Sequence, residues 1–223
     1  MPFILHHEHP WDLDPSDAID LQHRLAPYVD DTPLSTPVST VAGVDVSIRG
    51  DRAQAAVSVL TLPNLDVVDE SVHRCKVPFP YVPGLLSFRE MPALLPALDA
   101  LDTTPDVFMT DSHGVAHPRR FGLACHLGVL LDVPTLGVAK SILTGDPDRA
   151  LASDKGSRVP LVDDGETVGA VLRTRTDVNP VYVSVGHRMT LDDAVGLTLD
   201  SAPRYKIPEP TRQAHTLSRR APD

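Results

Sequence analysis

Residues 106–141 read DVFMTDSHGVAHPRRFGLACHLGVLLDVPTLGVAKS. Val107-Phe108-Met109 is a short apolar run of the kind that forms a buried strand, and Asp111 follows it closely. His113-Gly114 turns the chain. His117-Pro118-Arg119-Arg120 leads into a segment that sets Phe121, Ala124, Gly128 and Leu131 at helical spacing. Residues 133–138 form a second apolar run, ending just before Lys140. Strand, helix, strand is the crossover unit of a parallel sheet. Sites in such sheets are built where the strands end. Asp111 and Lys140 stand at two such ends, with His113, His117, Arg119 and Arg120 on the same rim.

Working outward, residues 41–48 alternate. Ala42, Val44, Val46 and Ile48 face one way, and Val41, Gly43, Asp45 and Ser47 face the other. Asp45 is therefore a carboxylate in mid-strand, either on a solvated face or on the floor of a cleft. Residues 53–62 and 66–77 are rich in β-branched side chains and flank the Pro63-Asn64 turn. The three strands read as an antiparallel meander feeding the parallel unit. Residues 79–84, FPYVPG, exclude regular structure and predict a stiff loop with an aromatic tip, Tyr81. Taken by itself, such a loop more often tucks its aromatic ring inward. Met91, Leu94, Leu95, Leu98 and Leu101 predict a helix over 87–101. Pro92 suits its first turn, and Pro96 should kink it or delay its start. Glu90 falls near that start.

Towards the amino terminus, residues 15–29 read as a helix, and residues 1–12 as a flexible arm. Its His6, His7 and His9 offer metal ligands, but a mobile tail is the expectation. Towards the carboxyl terminus, residues 144–157 read as a loop. Strands at 159–162 and 168–173 flank the hairpin signal Asp163-Asp164-Gly165-Glu166. Another strand, 181–185, is followed by a helix opened by a Thr190/Asp193 capping box. A basic segment, 204–223, closes the chain.

The 223 residues, 42% hydrophobic, suffice for one core and one domain spanning 1–223. Two distant cysteines, Cys75 and Cys125, fit a reduced, cytoplasmic protein. No secretory signal and no apolar run of about 18 residues is present, which excludes a membrane partner. The net charge of −10 argues against broad nucleic-acid affinity. Yet basic residues are concentrated at Arg119-Arg120 and along the closing segment, at Arg204, Lys206, Arg212, Arg219 and Arg220. They offer phosphate contacts on an acidic body, or else a solvated tail. Asp45, Glu90 and Asp111 lie in three separate elements. Gathered together, such hard oxygen donors suit Mg²⁺ or Mn²⁺ and not zinc. Metal-assisted phosphodiester hydrolysis needs little more than the cation and a cationic side chain, here Lys140, to steady the developing charge. The spacing around Lys140 is not that of a phosphate-binding P-loop.

The strings VAGVDVS, PYVPGLLSFRE, DSHGVAHPRRFGLACHLG, TLGVAKS, VSVGHR and PEPTR resemble the endonuclease V (deoxyinosine 3′ endonuclease) family. The resemblance runs from Val41 to His215. It implies an RNase H-like fold: a mixed sheet, antiparallel meander plus parallel strands, flanked by helices. It implies a Mg²⁺-dependent repair endonuclease, with Mn²⁺ as substitute, acting on inosine-containing DNA. The cut falls at the second phosphodiester 3′ to the deaminated base and leaves 3′-hydroxyl and 5′-phosphate ends. By resemblance, Asp45, Asp111 and Glu90 hold the metal, Lys140 lies near the cleaved phosphate, and His215 lies close to the metal. Tyr81-Val82-Pro83-Gly84 is the wedge that enters the duplex. Gly84, Leu85, Gly114, His117 and Gly122 line the base pocket. Where the family commonly has DGHG this chain has Asp111-Ser112-His113-Gly114, and Ser112 bears on lesion range. A second reading is an endoribonuclease on inosine-containing single-stranded RNA. A third, a non-catalytic nucleic-acid binder, is disfavoured because a pure binder has no need of three acids beside phosphate. A monomer is expected.

Overall fold

The computed structural model describes residues 3–221. Its strands are β1 Thr40–Arg49, β2 Arg52–Thr61, β3 Val67–Lys76, β4 Val107–Thr110, β5 Thr135–Ala139, β6 Asp146–Pro147, β7 Arg158–Asp163, β8 Glu166–Leu172 and β9 Val181–His187. Its helices are α1 Pro15–Leu25, α2 Leu86–Asp99, α3 Leu123–Leu131, α4 Leu191–Asp200 and α5 Glu209–Ser218. The strands form one mixed sheet in the order β3-β2-β1-β4-β5-β9-β8-β7-β6. β1, β4 and β5 are parallel, and every other pairing is antiparallel. This is the RNase H-like α/β architecture expected from the meander and the crossover unit.

Alternation along β1 and β2 decides which face meets which helix. Ala42, Val44, Ala53, Ala55, Val57 and Val59 bury one face against Met91, Leu94 and Leu98 of α2 and Leu127 and Leu130 of α3. The opposite face of β1 carries Gly43, Asp45, Ser47 and Arg49, and α5 lies across it. Gly43 permits that approach. A Cβ there would stand 2.0 Å from the Pro210 carbonyl carbon, so any side chain would lift α5 off the strand. Glu209–Ser218 of the basic closing segment is thus a packed helix. Its buried stripe is Pro210, Thr211, Ala214, Leu217 and Ser218, mostly small or polar residues, which explains why no hydrophobic period announces it.

α2 begins at Leu86 and contains both Pro92 and Pro96, so Pro92 is not in its first turn and Pro96 does not delay its start. The four-residue spacing puts both prolines on one side of the helix, partly or fully exposed. Each proline lacks the N–H that would donate to the carbonyl four residues back, so the helix forgoes two rungs of its ladder. α3 starts only at Leu123, with Gly122 as its N-cap in extended conformation. α1 stops at Leu25 and tightens into a 3-10 turn at Ala26–Tyr28. A two-residue strand, β6, interrupts the expected 144–157 loop, too short to leave any period. The β7–β8 hairpin turns on Asp164-Gly165, both at positive φ, as a two-residue turn requires. Both halves of the Thr190/Asp193 capping box are present.

The described residues of the arm, 3–12, form no helix or strand, yet they lie against the body. Phe3, Leu5 and Trp11 pack on the core beside α2 and α3. The His6 amide donates to the Leu130 carbonyl at 2.7 Å, and His9 Nε2 meets His126 Nε2 at 2.8 Å. The expectation of a flexible arm thus gives way to a docked one: its aromatic side chains bury apolar area that a free tail would leave in water. None of the described helices is long and apolar enough to cross a membrane.

Candidate metal centre and base pocket

The register of the parallel strands brings two acids together. Val44 of β1 pairs with Thr110 of β4, and Asp45 and Asp111 are the next residue on each chain. α5 carries His215 onto the same spot. One ligand atom from each of Asp45, Asp111 and His215 lies within 4.8 Å of the others. His215 Nδ1 stands 3.4 Å from Asp45 Oδ2 but is buried without a hydrogen bond. Ser218, one turn further along α5, donates its hydroxyl to Asp45 Oδ2 at 2.5 Å. Glu90 of α2 lines a small cavity of about 40 Å³ together with Asp45 and Asp111. Burial, then the Asp45 and Asp111 charges, push its carboxyl up to about 8. Three carboxyl groups crowd one place, and an imidazole nitrogen beside them lacks a hydrogen-bond partner. This donor set fits a hard divalent cation, with His215 as a nitrogen ligand beside the oxygens. Among the described residues this is the one such group, and the histidines of the arm form none.

Lys140, just past β5, pairs with Asp111 and keeps its ammonium on the rim. Lys206 stands near it: burial and the Lys140 charge hold the Lys206 amine below its ordinary value. Nothing in its sequence context singles Lys206 out, because its proximity arises from the approach to α5.

Beside Asp111 and Lys140 opens a pocket of about 420 Å³, with Tyr81, Gly84, His113, His117 and Gly122 among its lining residues. Tyr81 is 72% exposed, so the proline-stiffened loop presents its ring to solvent and does not tuck it inward. The loop is held from below. Gly84 adopts φ +79, and its carbonyl accepts from Gln22 Nε2 at 3.0 Å, His117 Nε2 at 3.0 Å and Arg119 Nη2 at 2.8 Å. Gln22 also donates to the Phe121 carbonyl and accepts from Arg119 Nε, so α1 ties the loop to the rim. Sequence reasoning missed Gln22, a single amide on a helix with no motif around it. His117 accepts the Arg119 amide at Nδ1 while donating from Nε2, which makes it a neutral ring. Burial, then the Arg119 charge, drop it to about 4. Burial likewise drops His113 to about 4.

Two expected pocket residues lie elsewhere. Leu85 is buried in the core with Phe79, Phe88 and Phe121. Gly114 backs onto β9, its amide donating to Ser184 Oγ at 2.8 Å. Ser112 borders the pocket, but its hydroxyl turns to Thr110 Oγ1 at 2.8 Å and is buried there. Among the expected phosphate contacts, Arg119 is engaged by the Gly84 latch. Arg120 is paired with Asp163 at 2.7 Å and Glu166 at 2.8 Å, and Arg212 with Glu209. These guanidiniums sit beside protein acceptors. Arg204, Arg219 and Arg220 remain exposed.

Known proteins bear on this geometry. Residues 23–216 match the profile of the endonuclease V family. The chain belongs to that family. An endonuclease V from Roseiflexus castenholzii is 51% identical over 211 residues, covering 95% of each chain. The crystal structure of the endonuclease V of Streptomyces avermitilis superposes with a TM-score of 0.89 at 47% identity, covering 94% of this chain and 93% of that one. The endonuclease V of Ciona intestinalis, solved in complex with a 24mer DNA containing an inosine followed by a ribo-adenosine, is 26% identical, with a TM-score of 0.78 over 92% of this chain and 95% of that one. Membership of the endonuclease V family makes the protein a nuclease, a hydrolase of phosphodiester bonds.

Proposed function

We propose that the protein is a Mg²⁺-dependent repair endonuclease on DNA that contains deaminated bases, hypoxanthine above all. It hydrolyses the second phosphodiester 3′ to the lesion and leaves 3′-hydroxyl and 5′-phosphate ends. The observation that carries this reading is the convergence of Asp45, Asp111 and His215 beside a base-sized pocket under an exposed aromatic tip. Asp45, Asp111, Glu90 and His215 hold the cation, for which Mn²⁺ substitutes. When bound, it polarises the phosphate and lowers the pKa of an attacking water. Lys140 leaves Asp111 to steady charge on the phosphate oxygens. Tyr81-Val82-Pro83 acts as a wedge whose shape is kept by the latch on Gly84, and the extruded base enters the pocket. There Gly84 and Gly122 let main chain approach the base edge. His117, fixed as a neutral ring, keeps the pocket free of an added charge. Because the Ser112 hydroxyl is spent on Thr110, its departure from the usual motif leaves inosine recognition intact.

A ribonucleotide directly after the inosine in the Ciona complex favours a second reading, cleavage of inosine-containing RNA. One sequence prepared as inosine-bearing duplex DNA, single-stranded DNA and RNA, with and without Mg²⁺, separates the two. Nicking of DNA only with the cation supports the first. Cleavage of RNA alone replaces it, and cleavage of neither removes both.

A further inference from the structure

The antiparallel register extends the site sideways, away from the pocket. Ser47 of β1 pairs with Gln54 of β2, which pairs with Arg74 of β3, and Arg49 pairs with Arg52, which pairs with Lys76. Residues directly opposite in a sheet share a face, and Ser47 and Arg49 follow Asp45 at alternate positions. Two cross-strand rows of basic and polar side chains therefore continue the face that bears the metal ligand Asp45. α5 closes the far side. The result is a hollow of about 370 Å³ lined by Arg49, Arg52, Arg74 and Arg220 with Gln54 and Ser218. Ser218 joins it to the metal centre, since its hydroxyl is bonded to Asp45.

Arg120 and Arg212 are held by short carboxylate pairs, and the arginines of the hollow are not. Arg49 gives one donor to the Arg219 carbonyl and Arg74 one to Gln54 Oε1, both neutral acceptors. Arg220 approaches Glu70 only at 4.0 Å. Each guanidinium has five donors, so most remain available in the hollow. On a chain with net charge −10 such a gathering is not a consequence of composition. It is also poorly suited to a protein partner's apolar surface and well suited to a row of phosphates.

The sheet order supplies a direction. The arginine hollow lies on β1, β2 and β3, the metal centre between β1 and β4, and the base pocket at the ends of β4 and β5. A strand with its lesion base in the pocket and its scissile phosphate at the metal centre continues onto the hollow. We infer that Arg49, Arg52, Arg74 and Arg220 form the seat for the sugar–phosphate backbone on the 3′ side of the cut, where the 5′-phosphate product remains held. This inference rests on the proposed function for its strand polarity. The base pocket would then set which site is cut, and the hollow would grip whatever sequence follows.

Arg52 is the test position, because it is exposed and Arg49 and Arg74 also brace the frame. Inosine-bearing single strands share one 5′ side and carry progressively longer 3′ arms. Cleavage is measured for the wild type, Arg52→Ala, Arg52→Glu and Arg52→Lys. Binding of the same strands is measured in Ca²⁺ across salt concentrations. The expected result is a loss that grows with the 3′ arm, is larger for Glu than for Ala and is recovered by Lys. The salt slope of binding should fall by about 0.7 for each single-strand phosphate that is no longer neutralised. A loss independent of arm length, or one that grows with the 5′ arm instead, overturns the seat. If the wild type fails to cut inosine strands, the proposed function falls. The binding arm still decides the hollow: a shallower slope in the Arg52 variants keeps it as a backbone site, and an unchanged slope removes it.

Discussion

His215 on α5 and Asp45 on β1 come within 3.4 Å because Gly43 lets the Pro210 main chain pass directly over the strand. The His215 side of the metal centre depends on this one helix-to-strand approach. Gly43→Ala would place a Cβ 2.0 Å from the Pro210 carbonyl carbon and push α5 outward. A displacement of about 1 Å at a reacting centre can cost on the order of 10²-fold in rate. The expected outcome is a loss of nicking of that order together with weaker Mg²⁺ binding, read by calorimetry. An unaltered cation affinity would show that α5 does not complete the site.

Asp45→Ala and Asp111→Ala should each abolish nicking without unfolding the protein. Burial, then the Asp45 and Asp111 charges, raise the Glu90 carboxyl, so removing either acid takes a like charge from beside it. Thermal melts should therefore show metal-free variants no less stable than the wild type. The upward shift that Mg²⁺ produces in the wild type by preferential binding should disappear. Near-normal nicking by either variant would remove these residues from the metal set.

Tyr81 and Leu85 are four residues apart and should behave oppositely. Tyr81 is 72% exposed, so Tyr81→Ala should change stability by no more than about 0.5 kcal/mol while reducing the preference for inosine over undamaged DNA. Leu85 is 1% exposed, and Leu85→Ala should cost about 2–5 kcal/mol without a selective effect on lesion binding. Denaturant titrations paired with binding isotherms on both DNAs distinguish the two.

His117 carries an acid sensitivity whose sign follows from its burial. Its folded value is about 4 against an ordinary 6.5, so in that interval the unfolded chain binds a proton that the folded chain refuses. The stabilisation is complete above the ordinary value and is lost as pH falls towards 4. One such group contributes at most about 1.4 kcal/mol per pH unit. His117→Gln should flatten the decline in urea midpoint across that window. An unchanged profile would assign the acid lability to another buried ring, of which His126 is the most deeply enclosed.

Arg120 and the end of α5 make a matched pair for salt dependence. Arg120 is held by Asp163 and Glu166, so Arg120→Ala should leave the salt slope of DNA binding unchanged. Its pairs lie near the surface, part-buried with Asp163 and more open with Glu166, and such pairs are worth about 0–1 kcal/mol of stability. The Arg219→Ala, Arg220→Ala double variant should weaken binding to all sequences alike. It should also flatten the slope by roughly 0.9 for each duplex phosphate that is no longer neutralised. Selective loss of inosine binding in that variant would assign the tail to the pocket instead.

What the sequence determined by itself is what depends on local pattern. The alternation of residues 41–48, the strand–helix–strand order of 106–141, the Asp164-Gly165 turn and the Thr190/Asp193 cap all follow from neighbours a few positions apart. Asp45, Glu90, Asp111 and Lys140 were legible as candidates from their chemistry, but His215, and the gathering of all five, only through the resemblance, because no spacing rule connects five separate elements. Only the tertiary structure decided the rest. Leu85 lies outside the pocket because its side chain packs into the core beside α2, and Gly114 because its main chain is taken up by β9. The protein acceptors of Arg119, Arg120 and Arg212 were not legible, because a charge count says nothing of where each guanidinium finds its partner. Gln22, and the rows joining Arg49, Arg52 and Arg74, were invisible for the same reason. Their meaning comes from long-range register and helix docking, and these are fixed by burial of the whole sheet.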